Sequence, residues 1–317
     1  MSAREKQAHP QEASKPGVPA SFTALGLRAE AEPIAPGLHV VATPIGNLGD
    51  ITFRALATLA AADAVIAEDT RVTKTLLAHY GIATPMITYH EHNAAVMRPH
   101  LIARLKSGAA LALVSDAGTP LVSDPGFKLV ADALEEGIAV VPVPGASAVL
   151  AALVVAGLPT DRFFFEGFLP PKSAARRQRI GELSGIPGTL VFFESPRRLA
   201  ETLGDLAAVL GARPAAIARE LTKHFETVRR GTLEELAQAL AQEEPPRGEI
   251  VLLVGPPQAG VSEISADELD ARLTQALQTL SVKDAAAVVS AQSGHNRRLV
   301  YARAIELAAR TKSRGEE

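Results

Sequence analysis

The feature that most constrains the fold of this chain is a regular alternation of short apolar runs with longer segments of helical period. From Leu38 onward, the runs LHVVAT, AVIAED, ALALVSD and AVVPVPG predict strands near residues 38–43, 64–68, 110–115 and 138–143. Helices fit between them at about 52–62, 72–79, 94–107 and 125–136. Apolar strands that alternate with helices are typical of a parallel sheet with crossover helices. The sequence therefore predicts an α/β protein.

A second set of strands and helices follows the small-residue segment at 146–157. The strand runs are FFFEGF, TLVFFES, AAIARELT and EIVLLVG, with helices at about 173–184, 196–211 and 232–242. Thr232 and Glu235 have the spacing of a capping box, in which each side chain satisfies a backbone donor at a helix start. This set repeats the rhythm of the first, which predicts two lobes at 37–147 and 148–257.

Both ends of the chain differ from these lobes. The first 32 residues lack apolar periodicity, so we predict a disordered tail over residues 1–36. After a polar linker, residues 265–317 show several helical patterns and predict a small helical module. The module is compatible with a helix-turn-helix, although three short helices with basic faces are also common in proteins that bind no nucleic acid.

Composition excludes several classes of protein. The chain of 317 residues has no cysteine, which excludes disulfides, thiolate metal sites and thiol nucleophiles. It has no apolar stretch of roughly 18 to 20 residues and no signal-peptide core, so we expect a cytoplasmic protein without a membrane span. His90 and His92 would point oppositely in an extended strand, and no third ligand follows, so no metal site is predicted.

A net charge of -3 argues against a protein that coats nucleic acid through bulk electrostatics. Two local basic patches remain, at residues 172–179 (KSAARRQR) and 295–314. The first is either a mobile loop that reaches RNA or the solvated face of a helix. The second is either an RNA-contacting helix or one that packs on the core, and of these we favour packing.

Three segments rich in glycine and small residues follow predicted strands. They are TPIGNLGD at 43–50, SDAGTPLVSDPG at 115–126 and VPGASA at 143–148. Ligands bind outside the carboxyl ends of strands in open α/β sheets. The glycines of the first segment do not match GxGxxG or GxxxxGK[ST], so it supports neither a classical dinucleotide site nor a phosphate loop. Taken alone, the first segment is also compatible with a tight strand-to-helix turn, and the third with close packing of a helix on the sheet. In the second segment, a helix cap explains Asp124 and Pro125 but not the whole loop.

Charged residues follow other predicted strands, in AEDTR, YHEHN, FESPRRL and ARELTKHFE. Any single one is typical of a surface ion pair. Their repetition at strand ends indicates a polar pocket.

Read in order, TPIGNLGD, AEDTR, YHEHN, SDAGTPLVSDPG, VPGASA, FESPRR and ARELTK closely resemble the bacterial small-subunit rRNA ribose 2′-O-methyltransferase I family (RsmI-type). That family belongs to the tetrapyrrole-methylase-like superfamily, and the resemblance covers roughly residues 37–257. It implies two α/β lobes of the tetrapyrrole-methylase type with a cofactor cleft between them, S-adenosylmethionine as cofactor and a homodimer. The implied substrate is a cytidine ribose in the decoding region of 16S rRNA, within the small ribosomal subunit.

The resemblance also implies roles for particular residues. The implied cofactor contacts are Pro44, Ile45, Gly46, Asp116, Gly118, Thr119, Ser147 and Ala148, with Phe193, Ala218 and Ile250 from the second lobe. A ribose hydroxyl is a poor nucleophile at neutral pH, so a nearby proton acceptor would help. The unranked catalytic candidates are Glu68, Asp69, Glu194, Glu220 and Lys223. The predicted RNA phosphate contacts are Arg71, Lys172 and Arg198, whose cations suit that role.

Two other functions remain open at this point. A methylase of a tetrapyrrole or another small metabolite would share the fold, because fold does not determine substrate. A non-catalytic RNA-binding protein would not bind S-adenosylmethionine at all.

Overall fold

A computed structural model describes residues 19–121, 126–257, 266–278, 280–293 and 297–313. The chain divides into two compact units. The first runs to Ala151 and includes Glu220–Glu226, and the second comprises Ala152–Arg219 and the chain from Thr227 onward. The predicted α/β class with a helical C-terminal module is confirmed. The predicted lobe boundary at 147/148 lies close to the observed one, but Glu220–Glu226 was predicted in the other lobe.

The described chain begins with a β-hairpin. Strands β1 (Ser21–Ala24) and β2 (Leu27–Glu30) pair antiparallel, and the Thr23 backbone N–H donates to the Tyr80 carbonyl over 2.7 Å. Phe22 is 7% exposed and belongs to an apolar cluster with Leu56, Tyr80 and Ile82. The prediction of a disordered tail is therefore wrong for residues 21–30, because the first unit buries the one aromatic residue of this segment. Residues 1–18 lie outside the described part.

The first unit is built on a parallel sheet. Its strands are β3 (Gly37–Val41), β4 (Ala64–Ala67), β5 (Met86–Thr88), β6 (Ala110–Leu113) and β7 (Val140–Val143). They are ordered β5-β4-β6-β3-β7, and each adjacent pair is parallel. Strands β3, β4 and β6 are almost wholly buried and apolar, as expected for a sheet covered on both faces. The short strand β5 was not predicted from the sequence.

Helices connect these parallel strands. They are α1 (Phe53–Ala61), α2 (Thr70–His79), α3 (Ala94–Lys106), α4 (Phe127–Glu135) and α5 (Ala148–Ala156), with a 3-10 turn at Leu48–Asp50. Thr52 caps α1 and Asp69 caps α2 through their side-chain oxygens. The predicted cap at Asp124 and Pro125 lies outside the described residues.

The second unit contains a mixed sheet in the order β11-β10-β12-β9-β8. The strands are β8 (Phe163–Phe168), β9 (Thr189–Glu194), β10 (Pro214–Arg219), β11 (Thr227–Thr232) and β12 (Ile250–Val254). Only the β8–β9 pair is parallel. The alternation of strands and helices in the second half of the sequence therefore does not correspond to a second parallel sheet. Because the connection Glu220–Glu226 is too short for a helical crossover, it returns the chain antiparallel as β11, whose polar sequence TVRRGT carries no apolar run.

The remaining helices cover this sheet and form the C-terminal module. They are α6 (Ser173–Leu183), α7 (Leu199–Leu210), α8 (Leu233–Leu240), α9 (Ala266–Leu277), α10 (Val282–Ser293) and α11 (Arg297–Ser313). The predicted capping box of Thr232 and Glu235 opens α8. Leu273, Val289 and Val300 join α9, α10 and α11 in a separate apolar core. None of the described helices is both long and apolar enough to span a membrane.

We predict that Phe22→Ala destabilises the protein by about 3 kcal/mol, because it leaves a cavity between the hairpin and the apolar side chains of Leu56 and Tyr80. Urea unfolding of the full-length protein measures this change. Leu25→Ala is the matched control, since Leu25 lies in the same hairpin and is 90% exposed. Equal stability of the two variants would contradict a packed hairpin.

Candidate functional site

The three glycine-containing loops emerge at one edge of the parallel sheet. They follow β3, β6 and β7, which are neighbours in the order β6-β3-β7. Because parallel strands end at the same edge, the loop after β3 lies between the other two. The sequence placed these loops at strand ends, and the strand order makes them adjacent.

Hydrogen bonds join these loops. The backbone N–H of Thr43 donates to the Gly118 carbonyl over 2.9 Å, and the Gly118 N–H donates back to the Thr43 carbonyl over 3.1 Å. The Thr43 hydroxyl donates to the Ser115 carbonyl over 3.3 Å. The Thr119 hydroxyl donates to the Ala146 carbonyl over 3.2 Å. The loop after β6 therefore holds both of the others.

Glycine at position 118 permits this close approach. Its φ is +77°, a left-handed conformation that L side chains rarely adopt, and a Cβ there would lie 3.2 Å from the Ile45 methyl group. At Gly145 a Cβ would lie 3.1 Å from the Ala42 Cβ. Small residues in these loops therefore serve close backbone packing, and the packing brings the loops to a common edge.

The structure brings the predicted cofactor contacts of the first unit together at this edge. Ile45 and Gly118 are buried, Pro44, Thr119, Ser147 and Ala148 are partly exposed, and Gly46 and Asp116 are exposed. Ser147 precedes α5, and its hydroxyl accepts a hydrogen bond from the Leu150 N–H over 3.4 Å. The exposed Asp116 carboxylate is thus available to a ligand at the edge.

An acidic and cationic group adjoins the loop after β6. Asp116 Oδ1 accepts a hydrogen bond from the Asp69 backbone N–H over 3.1 Å. Asp69 in turn forms a forked ion pair with the Arg71 guanidinium, with 2.6 Å between Nη2 and Oδ2. The hydrogen bonds from Arg71 lower the pKa of Asp69 to about 2. Asp69 is therefore a weak proton acceptor at neutral pH, which argues against it as the catalytic base.

Glu68 and His90 lie at the same edge. Glu68 follows β4 and is partly buried, and His90 follows the neighbouring strand β5. The Asn93 side chain holds the turn, because it accepts from the His90 N–H and donates to the Thr88 carbonyl. His90 Nδ1 is buried and has no hydrogen-bond partner among the described residues. The sequence singled out His90 but assigned it no role in binding or catalysis.

Glu220 and Lys223 reach the edge from a distant part of the sequence. The Lys223 side chain lies against Gly46, where an added Cβ would clash with Lys223 Cγ. Lys223 Nζ donates to Glu220 Oε1 over 2.9 Å, and both side chains are mostly covered. These two catalytic candidates therefore lie beside the loop after β3.

Glu194 and Arg198 have structural partners that the sequence did not reveal. The Glu194 carboxylate is fully buried and accepts from the Ser195 N–H over 2.7 Å and the Thr202 hydroxyl over 2.6 Å. Arg198 Nη2 lies 3.3 Å from this carboxylate and donates to the Leu169 carbonyl over 2.7 Å. These contacts join β9 to α7 and to the segment after β8. They argue against Glu194 as a proton acceptor and against Arg198 as a phosphate contact.

The three cofactor candidates of the second unit do not share one face of their sheet. Val251 pairs with both Phe193 and Ala218, so these two side chains lie on one face. Ile250 is the next residue along β12 and faces the opposite way, where it belongs to the apolar core under α6, α7 and α8. The prediction for the Ile250 side chain is therefore not supported. Phe193 and Ala218 stay predictions.

The basic segment KSAARRQR forms the start of α6, and much of its charge is paired. Arg176 is 1% exposed and donates to Asp205 Oδ2 over 2.7 Å. Arg177 and Ser173 donate to Asp205 Oδ1. Arg179 pairs with Glu166 and Glu182. Neither a mobile loop nor a wholly solvated helix face describes this segment, whereas Lys172 precedes the helix and is exposed.

The chain matches two known protein families and several named relatives. The family model described as "Tetrapyrrole (Corrin/Porphyrin) Methylases" matches residues 37–237, and the one described as "RsmI C-terminal HTH domain" matches residues 263–308. The protein named "Ribosomal RNA small subunit methyltransferase I" from Mesorhizobium japonicum is 52% identical over 87% of this chain and 94% of its own length. Its namesake from Pseudomonas aeruginosa is 49% identical over 85% of this chain and 96% of its own length.

The chain belongs to the ribosomal RNA small subunit methyltransferase I family. The resemblance seen in the sequence motifs is confirmed. The matched ranges cover the three-loop edge and the segment Glu220–Glu226, and the β-hairpin at 21–30 lies before the first of them.

Solved structures show how widely this fold of the methyltransferase I family is shared. A cobalt precorrin-4 methyltransferase, CbiF, superposes with a TM-score of 0.53 at 19% identity, over 69% of this chain and 94% of its own. A diphthine synthase gives a TM-score of 0.52 at 17% identity, over 69% of this chain and 89% of its own. At these identities the likeness shows the fold alone.

We predict that Asp205→Asn costs about 3 kcal/mol of stability at pH 7, because it leaves the Arg176 guanidinium buried beside a neutral group. Burial alone would raise the pKa of Asp205, but the hydrogen bonds from Arg177, Arg176 and Ser173 outweigh it and the pKa is lowered. Because the pKa of Asp205 is lowered in the folded state, its contribution to stability is complete above the pKa of an aspartate in the unfolded chain, about 4. That stability is lost as the pH falls further.

Urea unfolding of both proteins from pH 7 to pH 3 measures this effect, and the difference between them should shrink below about pH 4. Glu243→Gln is the matched control, because its pair with Arg229 is exposed and should contribute little. A difference of the same size at every pH would show that the carboxylate charge is not responsible.

Proposed function

We propose that this chain transfers a methyl group from S-adenosylmethionine to the ribose 2′-hydroxyl of a cytidine in the decoding region of 16S rRNA, within the small ribosomal subunit. The observation that carries the proposal is the convergence of the three loops at one sheet edge in a chain of this family. A small metabolite is a weaker substrate proposal. The relatives named for small-subunit rRNA are about half identical to this chain, while CbiF shares only its fold.

The residues at the edge fit a cofactor with both polar and apolar parts. Gly118 packs closely against the apolar side chain of Ile45, and Asp116 offers a carboxylate to amines or hydroxyls. The proposed cofactor contacts are Pro44, Ile45, Gly46, Asp116, Gly118, Thr119, Ser147 and Ala148. When bound, the cofactor supplies an electrophilic methyl group on a sulfonium.

The protein must align the ribose oxygen with that methyl group and receive the hydroxyl proton. We propose that Glu220 accepts the proton and that Lys223 offsets the negative charge on the oxygen as the new bond forms. Their contact beside Gly46 favours them over Glu194, which is buried in other hydrogen bonds, and over Asp69, whose pKa of about 2 makes it a weak proton acceptor. Glu68 remains a further candidate at the same edge.

Contacts to RNA phosphate are proposed for Arg71 and Lys172. The Arg71 side chain is 89% exposed despite its pair with Asp69, so it can contact a phosphate as well. The homodimer and the cytoplasmic location expected from the sequence belong to the same proposal.

The test is incubation of the protein with labelled S-adenosylmethionine and small subunits from a strain that lacks the modification. We expect label on a single cytidine ribose, located by mapping of the modified nucleotide. Parallel reactions replace the subunits with free 16S rRNA or with a tetrapyrrole substrate. Labelling of free rRNA but not of subunits would contradict the proposed substrate state, and labelling of the tetrapyrrole alone would contradict the function.

We predict that Gly118→Ala weakens S-adenosylmethionine binding on the order of tenfold, equivalent to roughly 1.4 kcal/mol. The added Cβ strains a positive φ and displaces Ile45. Calorimetry measures the affinity. Gly137→Ala is the matched control, because Gly137 has a similar φ of +68° and no atom within 4 Å of the added Cβ. Similar affinities in both variants would show that the approach of Gly118 to Ile45 does not shape the cofactor site.

A further inference from the structure

The segment Glu220–Glu226, which connects β10 to β11, has a strained backbone. Glu220 has a φ of +52° and Thr222 a φ of +67°. Residues other than glycine rarely adopt this conformation, and for a β-branched threonine it is an outlier. Such strain persists only where other contacts enforce it, and it clusters at functional sites.

Several contacts hold the segment in this conformation. The Lys223 N–H donates to the Glu220 carbonyl over 3.0 Å, and the Thr222 N–H donates to Glu226 Oε2 over 2.6 Å. Leu221 is buried. The Thr222 hydroxyl is buried and has no hydrogen-bond partner among the described residues, which adds a further cost. The segment is therefore held in one conformation against its local preference.

This conformation holds two aromatic rings outward. Phe225 is 69% exposed, and His224 is exposed beside it with the ring centroids 4.8 Å apart in an edge-to-face arrangement. Leaving a phenylalanine ring in water forgoes the favourable free energy of burying it. A fixed and strained segment that keeps a large apolar ring exposed indicates a binding surface for a planar group.

We propose that Phe225 is a stacking platform for an unpaired base of the RNA substrate, at or next to the methylated nucleotide. This rests on the proposed function and deepens it. Unpaired bases of RNA are recognised by stacking on aromatic side chains. Phe225 follows Lys223 by two residues, so their Cα atoms are at most ~7 Å apart. A ribose whose hydroxyl is beside Lys223 therefore brings its own base or a neighbouring base within reach of the Phe225 ring.

The first test is the kinetics of Phe225→Leu with unmethylated small subunits. We expect KM for the subunits to rise on the order of tenfold, because one stacked base is lost, while kcat and the affinity for S-adenosylmethionine stay within about twofold. Phe225→Tyr keeps the ring and should restore KM. Phe163→Leu, at an exposed phenylalanine of the second unit, is the matched control.

An unchanged KM in Phe225→Leu would overturn the platform. So would a fall in molecular mass by light scattering, because Phe225 would then be buried against a second copy of the chain. A lower melting temperature shared by the leucine and tyrosine variants would assign the ring a structural role and overturn it as well.

The second test measures stacking without catalysis. The chain contains no tryptophan, so Phe225→Trp introduces a single fluorescent indole at this position. Titration with a short single-stranded oligoribonucleotide that contains cytidine should quench its emission with a saturable curve, and Phe163→Trp should show no such quenching. Equal responses of the two indoles, or none at position 225, would overturn the proposal.

The two tests separate the platform from the proposed function. If the wild-type protein labels no rRNA but the indole of the Phe225→Trp variant is quenched, the proposed function fails together with the place of Phe225 beside a methylated nucleotide, and only a base-stacking role of Phe225 without methyl transfer stands. If the wild type labels the subunit and Phe225→Leu keeps its KM, the platform fails and the function stands.

Discussion

The pair of backbone hydrogen bonds between Thr43 and Gly118 is the interaction on which the site depends. It joins the loops after β3 and β6, and the Thr119 contact with Ala146 extends it to the loop after β7. It requires a positive φ at Gly118 and no side chain between that backbone and Ile45. Backbone amides and carbonyls held in this way are ordered before a ligand arrives, so binding costs less conformational entropy.

Some charged residues of this chain connect its strands and helices in the interior, whereas others remain exposed at the surface. Glu194 and Asp205 are buried carboxylates whose partners join β9 to α7 and α6 to α7. Glu194 belongs to the charged motif FESPRRL, and Arg176, the partner of Asp205, belongs to KSAARRQR; both motifs read like binding sites in the sequence. Motif chemistry alone cannot separate these uses, because an arginine that can grip a phosphate also grips a buried carboxylate. Asp116 and Arg71 remain exposed beside the three loops.

The segment Glu220–Glu226 shows how local conformational cost and function are related. Its sequence reads as the end of an apolar strand, yet its backbone leaves the strand conformation at Glu220. Burial of Leu221 and the hydrogen bonds of Glu220 and Glu226 offset the strain. This conformation of the segment places Lys223 against Gly46, which is distant in sequence, and leaves Phe225 exposed.

The sequence by itself determined the α/β class, most of the strands, the capping box at Thr232 and the family, because apolar periodicity and short motifs are local properties. It missed the hairpin at 21–30, the antiparallel strand β11 and the buried roles of Glu194, Arg198 and Arg176. Only the tertiary structure decided those features and the opposite facing of Ile250. The physical reason is that strand order, register and the pairing of buried charges depend on contacts between residues far apart in the chain, which no local pattern encodes.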